Sequence, residues 1–194
     1  MTKEDLRLFI KIPTLKTERL ILRRINPTDV EDVFDYASCP DVPRYLLWHP
    51  HPDRNYTKQY LSFLDKKYKK NEFYDWGIEL DGHLIGTCGF SSFDIDNNSA
   101  QIGYVLNKKH WGNGYAPEAV KEIMLFGFEV LKLHRIEARF IKQNERSKRV
   151  MEKCRMSYEG TLKEAIFAKG SYKDLGIYAI TRDEYLKYKT KNMI

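Results

Sequence analysis

The amino-acid sequence predicts one mixed α/β domain. Its 194 residues are enough for a single hydrophobic core and short for two. With 42% hydrophobic and 31% charged residues, the composition is that of an ordinary globular protein. Segments with a two-residue hydrophobic repeat alternate with segments that repeat every 3.6 residues, and no internal repeat or linker interrupts them. We therefore expect strands and helices to share one core.

The first half of the chain predicts one strand and two helices. Residues 15–24 alternate as a strand, and Pro27-Thr28-Asp29 marks the start of a helix. Four prolines in residues 39–55 exclude a regular element and predict a long shaped loop. An amphipathic helix is expected over residues 57–70. Residues 1–14 are expected to form an N-terminal arm to a single domain that spans residues 1–194.

The second half predicts a β-meander followed by alternating helices and strands. Strands over residues 75–80 and 84–93 flank Asp81-Gly82, a dipeptide typical of hairpins. A third strand covers residues 99–106, and the helix over residues 117–131 has Pro117 at its first position. The remaining elements are a strand (135–141), a helix (145–154) capped by Asn144, two strands (158–168 and 173–180) and a helical tail (182–189).

Charge and cysteine usage exclude several classes of protein. The net charge of +6 suits either nucleic acid or a polyanionic cofactor, and charge alone does not choose between them. Cys39, Cys88 and Cys154 are odd in number and widely separated, which argues against a disulfide framework. The histidines show no ligand spacing, so we predict no metal. With neither an export signal nor an apolar span, we expect a cytoplasmic protein without a membrane partner.

A short glycine segment, Trp111-Gly112-Asn113-Gly114-Tyr115-Ala116, joins a predicted strand to the longest predicted helix. Such a turn, with the helix N-terminus behind it, directs several N–H groups at one point and is typical of phosphate sites. A plain glycine connection is the alternative. No Lys-Ser or Lys-Thr pair follows, and Pro117 replaces the third glycine of a dinucleotide fingerprint. The segment therefore fits a pyrophosphate that is bound for positioning.

These residues resemble motif A of the GNAT superfamily of N-acetyltransferases, near the branch that contains the RimJ/RimL ribosomal-protein N-acetyltransferases. Motif A covers Gln101-Ile102-Gly103-Tyr104-Val105-Leu106 and then Trp111-Gly112-Asn113-Gly114-Tyr115-Ala116-Pro117-Glu118-Ala119. Other matches, in family order, are Thr17-Glu18-Arg19-Leu20, Ile85-Gly86-Thr87, Asn144-Glu145-Arg146-Ser147, Glu152-Lys153-Cys154-Arg155-Met156, Glu159-Gly160 and Gly170-Ser171-Tyr172-Lys173-Asp174. The resemblance runs from residue 15 to residue 180.

The resemblance implies a GNAT-type domain with a central, mixed, mostly antiparallel twisted sheet of about seven strands flanked by helices. It also implies acetyl-CoA as co-substrate. The backbone of the strand before the glycine segment would bind the pantetheine arm, the segment would bind the pyrophosphate, and the start of the following short helix would line the far wall. The cofactor-binding residues are then Tyr104, Val105, Leu106, Trp111, Gly112, Asn113, Gly114, Tyr115, Ala116, Asn144 and Ser147.

The implied reaction is direct attack of a primary amine on the thioester, with a general base and a proton for the leaving thiolate. The acceptor class is a protein N-terminus, a lysine or a small amine. A backbone N–H, such as that of Val105, would polarise the carbonyl. Gln101 and Met151 replace a carboxylate and a tyrosine that the family often uses. Ser147 and Glu159 are therefore the catalytic candidates, with a helix start and a paired carboxylate as the structural alternatives.

The acceptor site is expected in the first half of the chain. Tyr45, Trp48, His49 and Trp76 are the candidates for its wall, and hydrophobic cover over the core is the alternative. A catalytically weak acyl-CoA-binding regulator on the same fold is the competing function. A nucleic-acid-binding module rests on charge alone and lacks interleaved aromatic and basic residues. The sequence leaves the oligomeric state open, with a homodimer as one alternative.

Overall fold

An eight-stranded mixed sheet organises residues 12–70, 72 and 74–191, the part of the chain that the computed structural model describes. Its order is β1-β2-β3-β4-β5-β6-β8-β7, and only β5 and β6 run parallel. The strands are β1 (Leu15–Lys16), β2 (Ile21–Arg23), β3 (Tyr74–Leu80), β4 (His83–Asp94), β5 (Ser99–Leu106), β6 (Arg135–Ile141), β7 (Ser157–Ala168) and β8 (Ser171–Thr181). The predicted fold class, one α/β domain on a mostly antiparallel sheet, is confirmed.

Five helices flank the sheet. They are α1 (Val30–Ala37), α2 (Arg54–Lys69), α3 (Tyr115–Leu125), α4 (Glu145–Lys153) and α5 (Arg182–Thr190). A π turn, Phe126–Val130, continues α3, and 3₁₀ turns cover Val42–Tyr45 and Lys108–His110. The predicted long loop between α1 and α2 is therefore confirmed, with one short turn inside it. Most of the predicted arm, residues 1–11, lies outside the described residues.

The sheet has one strand more than the expected seven, because residues 15–24 form two strands instead of one. The Thr17 N–H donates to the Leu20 carbonyl at 3.0 Å, and this turn folds β1 back antiparallel to β2. The turn also directs Thr17 and Arg19 towards α3. The two short strands are thus separated by a turn whose side chains contact the first turn of α3, as described below.

Helix α3 begins two residues earlier than predicted. Gly114 is its N-cap, with a left-handed φ of 84°, and Pro117 is the third helical residue instead of the first. Proline is tolerated there because the first four N–H groups of a helix have no intrahelical acceptor. The predicted cap of α4 is confirmed, since the Asn144 side chain accepts from the Ser147 N–H at 3.2 Å.

The two faces of the sheet are covered by different helices. Trp76 of β3 packs against Phe126 of the π turn, so α3 lies on its side. Side chains alternate along a strand, and Asp75 accordingly faces α1 and α2, whose Tyr36, Tyr60 and Tyr68 lie near it. Among the described residues, no helix has both the length and the apolar character needed to cross a membrane.

Candidate active site

A gap opens in the middle of the sheet between β5 and β6. Their pairing covers only Ser99–Gln101 with Arg135–Glu137, although β5 continues to Leu106 and β6 to Ile141. Among the described residues, the end of β5 therefore has no strand partner on its β6 side. An unpaired strand edge accepts an extended ligand as if it were another strand. The backbone of β5 thus provides a row of donors and acceptors at the centre of the fold.

Backbone alternation determines which groups face this gap. The Asn107 N–H donates to the Ile85 carbonyl at 2.7 Å, so Asn107 faces β4. Val105 lies two residues earlier and pairs with Thr87, so its N–H also faces β4. The N–H groups of Tyr104 and Leu106 face the gap instead. The suggestion that the Val105 N–H polarises a thioester carbonyl is thus not supported, because that group points to the neighbouring strand.

The glycine segment follows β5 and presents a run of free backbone donors. Gly112 and Gly114 have φ values of 87° and 84°, which side-chain-bearing residues rarely adopt. Within the part of the chain that the structure describes, no acceptor lies within hydrogen-bond distance of the five N–H groups from Gly112 to Ala116. Because the positive end of the α3 dipole adds to them, the segment is a ready anion site. The geometry fits a pyrophosphate.

The turn between β1 and β2 holds this segment in place. Glu118, in the first turn of α3, accepts from the Thr17 hydroxyl at 2.5 Å and from the Arg19 N–H at 2.9 Å. The Arg19 guanidinium donates to Glu118 at 2.7 Å and to the Asn113 carbonyl at 3.0 Å. Burial raises the pKa of Glu118, but these donors more than offset it, and the pKa lies below its usual range. The carboxylate therefore stays ionised.

A tryptophan and an arginine border the other side of the segment. The Trp111 indole N–H donates to the Leu106 carbonyl at 2.8 Å, which ties the segment to the end of β5. The Arg146 guanidinium of α4 lies 4.4 Å above the Trp111 ring. No carboxylate among the described residues forms an ion pair with Arg146, so its charge is available to an anionic ligand.

Two hydroxyl groups meet where the gap reaches α4. The Tyr104 and Ser147 hydroxyl oxygens are 2.8 Å apart, and Tyr104 also donates to the Ser147 carbonyl at 2.9 Å. Burial raises the pKa of Tyr104, so the phenol keeps its proton. From the sequence, only the backbone of Tyr104 is expected in the site. The family's tyrosine position falls on Met151, which is buried in the core, and the Tyr104 hydroxyl lies beside Ser147 instead.

Glu159 lies away from these groups. Its carboxylate forms a two-pronged ion pair with Arg135, and this pair lowers its pKa. Arg135 is the first residue of β6, at the opposite end of that strand from the gap and α4. A base with a lowered pKa that already has a partner is poorly suited to accept a proton. The structure thus supports the paired-carboxylate alternative for Glu159 and does not support a catalytic role.

The four candidates for the acceptor wall are placed differently from one another. Trp76 is fully buried, and its indole donates to the Pro13 carbonyl at 2.7 Å, so it is a core residue and not part of an open wall. Trp48 is half-buried, its ring lies 5.8 Å from that of His51 in a tilted arrangement, and its backbone carbonyl accepts from the Lys169 ammonium of the β7–β8 turn. Tyr45 is half-buried beneath Arg44, and His49 is exposed.

Two of the three cysteines are buried in the core. Cys88 and Cys154 are fully buried, and burial raises the pKa of both thiols, to about 12 for Cys154. A thiol of that kind is not a nucleophile at neutral pH. Cys39 is half-buried and packs against the core.

Comparison of the sequence and the fold with known proteins identifies the family. Residues 19–157 match the family model described as an acetyltransferase (GNAT) domain. The chain belongs to the GNAT family. The uncharacterized N-acetyltransferase p20 of Bacillus licheniformis is 35% identical to this GNAT protein over 175 residues, which cover 89% of the chain and 98% of p20.

Solved structures agree with this membership. A GNAT-family acetyltransferase from Bacillus anthracis is 32% identical, with a TM-score of 0.78, and the match covers 89% of this chain and 100% of that one. RimL, a ribosomal L7/L12 α-N-protein acetyltransferase solved with coenzyme A, shares the fold at 19% identity and a TM-score of 0.72, covering 87% and 98%. The predicted resemblance and the predicted class of enzyme, an N-acetyltransferase, are confirmed.

Proposed function

We propose that this GNAT protein transfers an acetyl group from acetyl-CoA to a primary amine by direct attack of the amine on the thioester. The observation that carries the proposal is the run of five unpaired N–H groups, Gly112 to Ala116, beside the unpaired edge of β5. A pyrophosphate and an extended amide-containing arm are the two parts of coenzyme A that such groups recognise. The acceptor class is a protein N-terminus, a lysine or a small amine.

The remaining cofactor contacts follow from this placement. Tyr104 and Leu106 offer backbone groups to the pantetheine arm, and Trp111 closes the end of the gap through its bond to Leu106. Asn144 and Ser147 line the α4 side, where Asn144 fixes the first turn of the helix. Arg146 supplies a cation for a phosphate. The chain's own residues therefore bind each chemical part of the donor.

Catalysis needs stabilisation of the carbonyl oxygen and a proton for the departing thiolate. A backbone N–H of β5 that faces the gap, from Tyr104 or Leu106, is suited to the first task. The hydroxyl pair of Tyr104 and Ser147 is suited to the second, since the phenol retains its proton and is linked to Ser147. No covalent intermediate with the enzyme is required, in agreement with the buried cysteines.

The competing function, a regulator that binds acyl-CoA without turnover, rested on Gln101 and Met151 in place of proton carriers. The Tyr104 hydroxyl weakens that argument, because it places a tyrosine beside Ser147 despite Met151. The enzymatic function is therefore favoured.

A matched pair of glycine substitutions tests the donor site. Gly112 and Gly82 have φ values of 87° and 83°, and a Cβ at either would meet nothing within 4 Å. Gly112→Glu places a negative charge in the proposed pyrophosphate nest, whereas Gly82→Glu places the same charge, with the same backbone strain, in the β3–β4 turn. We expect acetyl-CoA at 1 mM to raise the melting temperature of the wild type and Gly82→Glu, but not of Gly112→Glu.

A second measurement separates enzyme from regulator. Thiol release is followed with acetyl-CoA and a panel of amines that includes an N-terminal peptide, a lysine peptide and a polyamine. Release with at least one amine supports the proposed function. Equal stabilisation of both glutamate variants would contradict the nest, and donor binding without release for any amine would favour the regulator.

A further inference from the structure

A carboxylate lies on the face of the sheet opposite to α3 and α4. Asp75 of β3 pairs with Gly89 of β4, and Gly89 pairs with Gly103 of β5, so the three residues form one row across the sheet. A Cβ at Gly89 would lie 2.4 Å from the Asp75 Oδ1 atom. The carboxylate therefore rests directly over Gly89, in space that any side chain at position 89 would fill.

The row is open at its other end. A Cβ at Gly103 would have only the Ser91 Cβ within reach, at 4.0 Å. Strands are about 4.8 Å apart, so the carboxylate over Gly89 lies about 5 Å from Gly103. Val105 follows two residues later on the same face, beside the gap that receives the thioester in the proposed function. We call the row Asp75–Gly89–Gly103 the acceptor groove.

The carboxylate of Asp75 has no hydrogen-bond or ion-pair partner among the residues that the structure describes. Its surroundings are neutral: Tyr36 from α1, Tyr60 and Tyr68 from α2, and the Cys88 thiol from β4. Charged groups near this cluster are engaged elsewhere. Arg24, which lies over Tyr68, pairs with Asp65, and Asp29, which acts on Tyr36, pairs with Arg23. Burial raises the pKa of Asp75 to about 7.

An aromatic path connects the groove with the loop between α1 and α2. Trp48 lies 5.8 Å from His51, and His51 lies 5.3 Å from Tyr60, which is close enough to Asp75 for their charges to interact. Burial lowers the pKa of His51, so this ring carries no competing charge at neutral pH. Aromatic faces of this kind attract cations. The rings on this side of the groove would therefore favour a cationic acceptor over an anionic one.

We propose that Asp75 accepts a proton from the attacking amine through bridging water molecules. This rests on the proposed function. The acceptor arrives as an ammonium ion and loses two protons in becoming an amide. Asp75 takes the first, which frees the lone pair for attack, and passes it to water. The C–N bond then forms and the C–S bond breaks, and the second proton passes from the nitrogen to the thiolate through the hydroxyls of Ser147 and Tyr104.

The test compares Asp75→Asn with Asp96→Asn, which changes an exposed carboxylate in the β4–β5 turn. For the wild type and Asp96→Asn, kcat/KM for an amine found in the panel should rise tenfold per pH unit below about 7 and then level off. Asp75→Asn should lower kcat/KM at pH 8 about 100-fold. Its rate should continue to rise through pH 7, because only the amine's own ionisation remains.

Stability provides a readout that does not depend on turnover. The folded-state pKa of Asp75 is raised, so the wild type loses stability as pH rises from about 4 to about 7. Asp75→Asn removes this loss, and its melting temperature relative to the wild type should increase over the same range. The shift produced by acetyl-CoA should stay unchanged, because Asp75 lies on the other face from the nest.

Each outcome has a definite meaning. A wild-type profile without an inflection near pH 7 would overturn the role of Asp75 whether or not the variant folds. If kcat/KM of Asp75→Asn depended on pH as that of the wild type does, the role of Asp75 would also be overturned, while the proposed function would stand. Wild-type protein that binds acetyl-CoA but acetylates no amine would contradict the proposed function and this role with it.

Discussion

The two sides of the β5 edge are built from different parts of the chain. On the donor side, the groups proposed to bind acetyl-CoA come from two short stretches, residues 104–116 and 144–147, and most of them are backbone N–H groups. On the acceptor side, Tyr36, Tyr60, Asp75, Gly89 and Gly103 come from five separate elements and meet only through strand register and helix packing.

This difference follows from what each side is proposed to recognise. A pyrophosphate and an amide-containing arm are common to every donor molecule, and backbone groups on a rigid turn bind them whatever side chains surround the turn. An amine acceptor needs a proton acceptor held away from water, which requires a side chain buried by long-range contacts. The donor side therefore depends on the backbone of two short stretches, and the acceptor side depends on the packing of the whole sheet.

The largest expected effect tests the register that supports the acceptor groove. A Cβ at Gly89 would lie 2.3 Å from the Tyr74 carbonyl oxygen and 2.5 Å from the Asp75 Cα atom, and backbone atoms cannot move aside cheaply. We expect Gly89→Ala to lower the free energy of unfolding by about 3 kcal/mol. Denaturant unfolding measures this change.

Gly103→Ala is the matched control. Gly103 lies in the same row, and a Cβ added there would lie no closer than 4.0 Å to its nearest described neighbour, the Ser91 Cβ atom. Its free energy of unfolding should stay within about 1 kcal/mol of the wild type, and the gain from a better strand former should favour the variant. If Gly89→Ala and Gly103→Ala lowered the free energy of unfolding equally, the groove would not be open at Gly103. The contrast between the two ends of the row would then be lost.

A smaller effect is expected on the donor side, at the hydroxyl pair. Tyr104→Phe removes the hydroxyl that lies 2.8 Å from the Ser147 oxygen. We expect kcat to fall about 10- to 100-fold with little change in acetyl-CoA affinity, because proton delivery to the thiolate is lost while the backbone contacts remain. Steady-state kinetics and the thermal shift with acetyl-CoA measure the two effects.

Tyr178→Phe is the control, because it also removes one tyrosine hydroxyl, which donates to Glu152 at 3.0 Å. It should leave kcat unchanged. A similar loss of kcat in both variants would show a general effect of lost hydrogen bonds, and an unchanged kcat in Tyr104→Phe would remove the hydroxyl from the proposed mechanism.

The sequence predicts the donor side better than the acceptor side for the same physical reason. Gly112, Gly114 and Asn144 act through the local backbone, so their spacing alone indicates a nest and a helix cap. Asp75 is different, because nothing in residues 74–80 shows that two glycines lie across from it on β4 and β5. The ion pair of Glu159 illustrates the same limit, since its partner, Arg135, is 24 residues away in the sequence.

The same limit applies to the prediction of the fold from the sequence. Hydrophobic periodicity predicts β3 to β8 within a few residues, but it merges β1 and β2 into one strand. The turn between them also contacts Glu118, which lies 101 residues from Thr17 and accepts a hydrogen bond from its hydroxyl. The position of α3 was shifted by two residues because Gly114, and not the residue before Pro117, provides the left-handed cap.

The smallest expected effect concerns the contact between that turn and the glycine segment. Arg19→Ala removes the guanidinium group, which donates to Glu118 and to the Asn113 carbonyl. Because Arg19 is partly exposed, we expect a stability loss of only about 1 kcal/mol. Acetyl-CoA affinity should also weaken several-fold, since the segment loses its support. The pKa of Glu118 is lowered in the folded state, so the stability difference should be present above pH 4.5 and disappear as the pH falls further.

Arg54→Ala separates a positioning effect from the loss of an ordinary ion pair. Arg54 pairs with Glu31 at 2.9 Å, with side chains 58% and 70% exposed, and lies at the start of α2, outside the donor site. Its loss should change stability by less than about 0.5 kcal/mol and leave acetyl-CoA affinity unchanged. If Arg19→Ala behaved in the same way, the nest would hold its shape without the β1–β2 turn. The donor side would then be determined by the glycine segment alone, and the contrast with the acceptor side would be sharper still.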